Sequence, residues 1–274
     1  MSAVDVAALA AILRRAAKAE ILPRFRRLDE GMVRQKSEAI DLVTEADEAA
    51  ERHIAAEVRN LLPEALFVGE ESVARDPGLL AALDDAALAV VVDPVDGTAN
   101  FAAGLPLFAV MAAVVRNGET VAGIIYDPMG DDFALAEKGG GAYMRFPDQG
   151  RDMRLQVATP PDLAQMVGCV STAFMPAARK PQILANLAKV RVAANYRVAG
   201  HAYRLLAAGH IHFAAFNKLM PWDHLAGTLI VEEAGGYAAR FDGSRYLPVH
   251  RAGGLLVAAN EDCWKQLRSE VFTF

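Results

Sequence analysis

Cysteine is scarce in this sequence: 274 residues contain only Cys169 and Cys263, far apart and in no CxxC arrangement. That excludes a thiolate zinc site and a disulfide framework, and it reads as two reduced thiols of a cytoplasmic protein. Long apolar runs are also missing from the N-terminus. The longest there, Val6 to Leu13, is preceded by Asp5 and closed by Arg14-Arg15. It is too short to span a membrane and has the wrong flanks for a signal peptide. It reads instead as an amphipathic helix, Ala3 to Leu22, starting near Ser2 or Asp5 and ending around Pro23. Basic excess is absent too, with 28 Lys and Arg against 34 Asp and Glu, a net charge of -6. A polymeric nucleic acid needs clustered positive charge, so neither it nor a membrane is an expected partner. Internal repeats and low-complexity linkers are not found.

What is present is the composition of a globular protein, 53% hydrophobic and 23% charged. A second helix is expected from about Glu45 to Leu62, with Glu48, Glu51, Arg52 and Arg59 on its exposed side. From Leu88 the pattern turns to strands: LAVVV, then LFAVMAAVVR and TVAGIIYD joined at Asn117-Gly118, a strong hairpin signal. FALAEKGGGAYMR reads as a further strand pair turning at Gly139 to Gly141. After Pro160-Pro161, strands and helices alternate: MVGCVS, a helix from Pro181 to Val190, a strand ending near Val198, then AGHAYRLLAAG as a helix. IHFAAF (strand), WDHLAGTLIVEEAGG (helix), GLLVAAN (strand) and a final helix from about Glu261 complete the chain. The reading is α+β, with an N-terminal part over residues 1–155 and a C-terminal part over 156–274.

Three stretches concentrate carboxylates where apolar segments end. In VVVDPVDGTANF, Pro94 donates no N–H and interrupts a regular ladder, which frees the Val95 carbonyl to face a cation beside Asp93 and Asp96. Gly97 permits close backbone approach, and a helix starting at Thr98 aims its N–H groups at an anion. Asp, Pro and Gly are equally the residues of a solvated turn, and this segment alone does not decide between the two. The second stretch is Gly69-Glu70-Glu71-Ser72. The third is Pro221-Trp222-Asp223-His224, with Asp223 in the first turn of a helix whose buried face carries Trp222, Leu225, Ala226, Leu229 and Ile230.

If Glu70, Asp93, Asp96 and Asp223 share one pocket, carboxylates about 4 Å apart repel by several kcal/mol per pair at an effective dielectric of about 20. Such a cluster takes up protons or hard divalent cations, and all-oxygen ligation suits Mg²⁺. Two such ions cancel four carboxylates and leave a neutral site suited to a phosphate ester.

In combination, GEES, DPVDGTANF and WDHLAGTLIVEEAGG closely resemble the three signatures of the inositol monophosphatase family, in its order and spacing. Lys36-Ser37 and DLVTEAD, ending at Asp47, resemble a fourth. The resemblance implies a layered α/β/α/β/α sandwich of the inositol monophosphatase and fructose-1,6-bisphosphatase type, usually a homodimer. It implies a phosphomonoesterase using two or three Mg²⁺ ions and direct attack by water on a small phosphorylated substrate such as an inositol or sugar phosphate. Metal ligands would be Glu70, Asp93, the Val95 carbonyl, Asp96 and Asp223. Asp96, Gly97 and Thr98 would meet the phosphate. Asp47, Thr98 and Glu70 would orient or activate the water.

The chain departs from the family pattern around the substrate. Phe216 stands where inositol-hydrolysing relatives carry a hydroxyl-binding glutamate, and Gly200-His201-Ala202 replaces a small polar stretch. Gly200, His201 and Phe216 are therefore the expected substrate contacts, with histidinol phosphate, fructose 1,6-bisphosphate or a 3'-phosphoadenosine nucleotide as alternative esters. A phospho-aspartate phosphatase of the haloacid dehalogenase type places one residue between its aspartates, whereas Asp93 and Asp96 have two between them. A non-catalytic regulatory homologue is the remaining alternative. Glu137 to Gly141 lacks the glycine spacing of a nucleotide-binding loop and reads as a hairpin turn.

Overall fold

A computed structural model of the chain describes residues 5–28, 33–35 and 42–274; Lys36, Ser37 and Asp41 of the fourth motif lie outside them. Helix α1 (Val6–Ala16) starts at Asp5, whose side chain accepts from the Ala8 N–H at 2.8 Å. It widens into a π turn over Ala17–Ile21 and tightens over Leu22–Arg24, where Pro23 prevents a further regular turn. A short antiparallel ribbon of β1 (Val33–Gln35) and β2 (Leu42–Thr44) leads into α2 (Glu45–Leu61).

The larger sheet runs in chain order: β3 (Leu66–Gly69), β4 (Leu88–Asp96), β5 (Ala109–Arg116), β6 (Glu119–Asp127), β7 (Asp132–Glu137), β8 (Gly141–Phe146) and β9 (Arg151–Arg154). Only β3 and β4 pair in parallel, because α3 (Glu70–Arg75) and α4 (Gly78–Asp85) connect them. The β5–β6 hairpin turns at Asn117 and Gly118, both at positive φ, as its sequence requires. A short helix, α5 (Thr98–Ala102), follows β4.

The smaller sheet is built from β10 (Val167–Val170), α6 (Lys180–Leu187), β11 (Val192–Ala194), α7 (Ala199–Ala207), β12 (Phe213–Phe216), α8 (Pro221–Glu233), β13 (Tyr237–Arg240), β14 (Leu255–Ala258) and α9 (Glu261–Glu270). Its strand order is β11-β10-β12-β14-β13, parallel among the first three and antiparallel after that.

The pleat sorts the side chains into three cores. Val90 and Val92 of β4 pack with α1 and α2, while Ala89 and Val91 face α7 and α8. In β12, Ala214 and Phe216 face those same helices, and Phe213 and Ala215 face α6 and α9. The layers are therefore helices, seven-stranded sheet, helices, five-stranded sheet, helices: an α+β sandwich. Helix α8 lies in the middle layer and is buried all round from Pro221 to Val231 except at Asp223, not along the single face its spacing predicts. It packs between both sheets, so its solvent-type face does not exist. The strand expected to end near Val198 stops at Ala194, and residues 195–197 form an exposed rim instead.

Candidate active site

The site begins where β4 loses its ladder. Its pairing with β5 shifts register between Asp93 and Asp96, the interval that contains Pro94. A proline cannot donate to the neighbouring strand, so a bulge forms there. Asp93 Oδ1 accepts from the Val95 N–H at 3.0 Å and stabilises the bend. Gly97 follows at φ +89, and a Cβ there would meet the Leu107 carbonyl oxygen and the Val198 side chain at 3.2 Å. Conformation and space both demand glycine.

Glu70, Asp93, Val95, Asp96, Gly97, Thr98 and Asp223 all line one cavity of about 240 Å³, formed by the ends of β3 and β4 and the starts of α5 and α8. Asp93, Asp96 and Asp223 each bring a carboxylate oxygen within 4.8 Å of the others. Burial pushes the Asp93 carboxyl well above the ordinary range, and the charges of Glu70, Asp96 and Asp223 push it further. Asp223 rises for the same reasons: burial first, then Glu70 and Asp96. Asp96 is pushed up to about 6 by burial, although N–H groups from Gly200 and Ala199 pull the other way. Those two amides, at the start of α7, reach Asp96 at 2.5 and 3.1 Å. A crowd of buried oxygen donors that must hold protons when alone is the donor set of a hard divalent cation. These residues fit such an ion.

Asp47 does not line the cavity. It is fully buried in the first turn of α2, where Oδ2 accepts from the Thr44 N–H at 2.8 Å in a capping box. Its Oδ1 accepts from the Thr98 hydroxyl at 3.1 Å, and the Val95 carbonyl is a second acceptor for that hydroxyl at 3.0 Å. Thr98 lines the cavity, so its hydroxyl links Asp47 to the cavity wall.

Glu51 corrects the reading of α2. Placed on the exposed side by its charge, it is 1% exposed. It accepts from the Glu71 N–H at 2.6 Å and the Ser72 hydroxyl at 2.7 Å, closing the N-terminus of the helix that carries Glu70. A Cβ on Gly69 would lie 2.3 Å from its carboxylate, so a larger residue there would displace Glu51 from these bonds. The signal was in the sequence: Glu51 follows Asp47 by one helical turn and shares a stripe with Ile54, Ala55 and Val58.

The expected substrate contacts separate. Phe216 lines the cavity, stacked on Tyr203 with ring centroids 5.1 Å apart. Gly200 meets Asp96 rather than the open cavity. His201 does not line the cavity, and its Nε2 donates to the Phe108 carbonyl at 3.1 Å. Its ring thus turns toward the segment just before β5. His224 lines the cavity, yet both ring nitrogens are occupied. Nε2 donates to the Lys218 carbonyl at 2.8 Å, so Nδ1 accepts from the Tyr203 hydroxyl at 3.0 Å. Burial lowers its pKa to about 4, and it packs as a neutral ring.

Residues 2–271 match the model of the inositol monophosphatase family. The inositol-1-monophosphatase of Mesorhizobium japonicum is 35% identical over 226 residues, 81% of this chain and 79% of the relative. The Nus factor SuhB of Pasteurella multocida is 34% identical over 236 residues, 84% of this chain and 82% of that one. The crystal structure of the extragenic suppressor protein suhB from Bartonella henselae superimposes with a TM-score of 0.81 at 28% identity, over 98% of this chain and 97% of that one.

Proposed function

The chain belongs to the inositol monophosphatase family of phosphoric monoester hydrolases, and from that premise we propose that its cavity cleaves a small phosphomonoester by direct attack of water, with Mg²⁺ held by Glu70, Asp93, the Val95 carbonyl, Asp96 and Asp223. One observation carries the reading: Asp93, Asp96 and Asp223, from two distant stretches of chain, bring carboxylate oxygens within 4.8 Å of one another in the cavity Glu70 also lines.

Two or three divalent ions at these carboxylates would supply Lewis acidity, easing deprotonation of water and charge build-up on the phosphoryl oxygens. The chain supplies position and proton handling. The amides of Gly97 and Thr98 at the start of α5 meet the phosphate oxygens. Thr98 Oγ1 sits within reach of an attacking water and takes its proton while passing its own to Asp47 Oδ1. The water oxygen bonds to phosphorus, the ester P–O bond breaks, and the alcohol leaves with a proton from solvent. No protein atom becomes phosphorylated.

Phe216 offers no acceptor to a polyol, which argues against free inositol phosphate as the preferred ester. Family membership also supports the homodimer and cytoplasmic location expected above; light scattering on the purified protein tests the first. Among the described residues no helix is long and apolar enough to cross a membrane. The functional test is phosphate release from glycerol 2-phosphate after chelator treatment and Mg²⁺ titration. Activity that disappears with chelation and returns with Mg²⁺ is expected, and activity indifferent to chelation refutes the reading.

A further inference from the structure

Helix α7 opens without a cap of its own. Apolar Val198 stands at its N-cap, and no acidic residue lies in its first turn. The first N–H groups of a helix still need acceptors, and here Asp96 supplies them. Its Oδ1 accepts from the Ala199 N–H at 3.1 Å and its Oδ2 from the Gly200 N–H at 2.5 Å. One carboxylate therefore both caps a helix and lines the cavity. The place where α7 begins fixes the direction in which the Asp96 oxygens point.

The chain leading into α7 is poorly suited to hold that place by itself. Residues 195–197 are an exposed rim outside any helix or strand. Arg197 has φ +55, a left-handed conformation that residues other than glycine rarely adopt. The Asn195 side chain accepts from the Arg197 N–H at 3.0 Å, a bond within the rim itself. Support from the protein interior comes from Asn100 of α5, which is 1% exposed. Its Nδ2 donates to the Tyr196 carbonyl at 2.7 Å and to the Leu107 carbonyl, just before β5, at 2.9 Å. Its Oδ1 accepts from Arg197 Nη2 at 2.9 Å. With both donor hydrogens and its acceptor engaged, this amide is a bracket between the rim and the segments that follow β4. Asn100 itself does not line the cavity.

Resting on the metal-site reading of the same cavity, we propose that Asn100 is a positioning residue: by bracketing the rim it sets the Ala199 and Gly200 amides against Asp96, and so aims the Asp96 carboxylate at a divalent ion. A carboxylate already oriented by two amides has less freedom to lose when it ligates a cation. Partners that orient a metal ligand govern affinity in this way without touching the ion.

Calorimetric titration of the chelator-treated full chain with Mn²⁺, without substrate, tests the proposal. Asn100→Ala is expected to weaken Mn²⁺ binding about tenfold, the lower end of what losing an outer partner of a metal ligand costs. Asn186→Ala is the matched control. Asn186 is a buried amide that donates to the Val271 carbonyl and the Thr273 hydroxyl, both at 3.0 Å, and it does not line the cavity. That variant is expected to lower Tm and leave Mn²⁺ affinity unchanged. Unchanged affinity in Asn100→Ala, or an equal loss in both variants, overturns the proposal. If Asn100→Ala does not fold, Asn100→Ser, which keeps one donor, carries the same expectation and the same refutation. Amide hydrogen exchange of Ala199 and Gly200 in the metal-free protein, read by NMR, isolates the bracket from the metal. Loss of protection at these two amides in the Asn100 variant supports the proposal, and undiminished protection refutes it. Should the unaltered chain bind no Mn²⁺, the metal-site reading fails, and the exchange measurement alone decides whether Asn100 positions Asp96.

Discussion

Glu51 of α2 accepts the backbone N–H of Glu71 at 2.6 Å, so a buried carboxylate closes the short helix whose first residue is Glu70. The Ser72 hydroxyl and the Arg75 guanidinium complete its partners at 2.7 and 3.2 Å. Burial raises the Glu51 carboxyl above its ordinary range, and these donors offset part of that rise.

Glu51→Gln removes one acceptor and presents an N–H to the donors that remain. The expected cost is about 1–3 kcal/mol of stability, the penalty for a buried donor left without its acceptor. If the cap also positions Glu70, the Mg²⁺ concentration giving half-maximal activity rises as well. Chemical denaturation and a Mg²⁺ titration of phosphate release read the two effects separately.

Thr98→Val keeps the shape of the side chain and deletes the hydroxyl between Asp47 and the cavity. Turnover is expected to fall about a hundredfold, the lower end of what a positioned proton acceptor contributes, with KM changed little. Asp47→Asn is expected to act in the same direction, because its effect passes through Thr98. Steady-state kinetics of the two single variants and the double variant measure their coupling: the double variant is expected to lose little more than either single one.

The carboxylate cluster has a definite signature against pH. Asp96 titrates near 6 in the folded protein against an ordinary value of 3.8, and Asp93 and Asp223 are raised in the same direction. Raised folded-state values mean that the folded protein binds more protons than the unfolded chain across this window. The stability they contribute is full below the unfolded pKa and is lost as pH rises through the folded pKa. Metal-free protein is therefore expected to lose thermal stability from this site between about pH 4 and pH 7, whereas added Mg²⁺ stabilises more at the upper end, where the carboxylates are free to bind it. Calorimetric Tm values with chelator and with Mg²⁺, taken across that range, test the sign.

The fold was largely legible because its strands carry strong local marks. Asn117-Gly118 sets one hairpin, the glycines at 139–141 set another, and Val90 to Val92 read as a buried strand. Five short strands were not read: Val33–Gln35, Leu42–Thr44, Leu66–Gly69, Arg151–Arg154, which is exposed throughout at a sheet edge, and Tyr237–Arg240, which begins directly after a glycine pair. The carboxylates were visible as residue types and the combination of their motifs implied that they meet, but the geometry that brings them together was not visible. Asp93 and Asp223 reach the same cavity only because α8 is sandwiched between two sheets, a relation that no local pattern encodes. Glu51 is charged yet buried, because the phase of its helix and not its charge sets the way it faces. Gly200 reaches Asp96 while the ring of His201 turns to the Phe108 carbonyl, a division that adjacent residues in a sequence do not reveal.

The proposed function requires that the carboxylates around Asp93 form a metal site that hydrolyses phosphate esters. Asp93→Asn tests it most directly, because the change keeps the size of the side chain and removes its charge from the middle of the cluster. Phosphate release from glycerol 2-phosphate at saturating Mg²⁺ is predicted to fall by about a thousandfold or more, as for loss of a principal charge-stabilising group in a closed site. Near-native turnover in a folded Asp93→Asn protein would rule out a catalytic metal at this cluster.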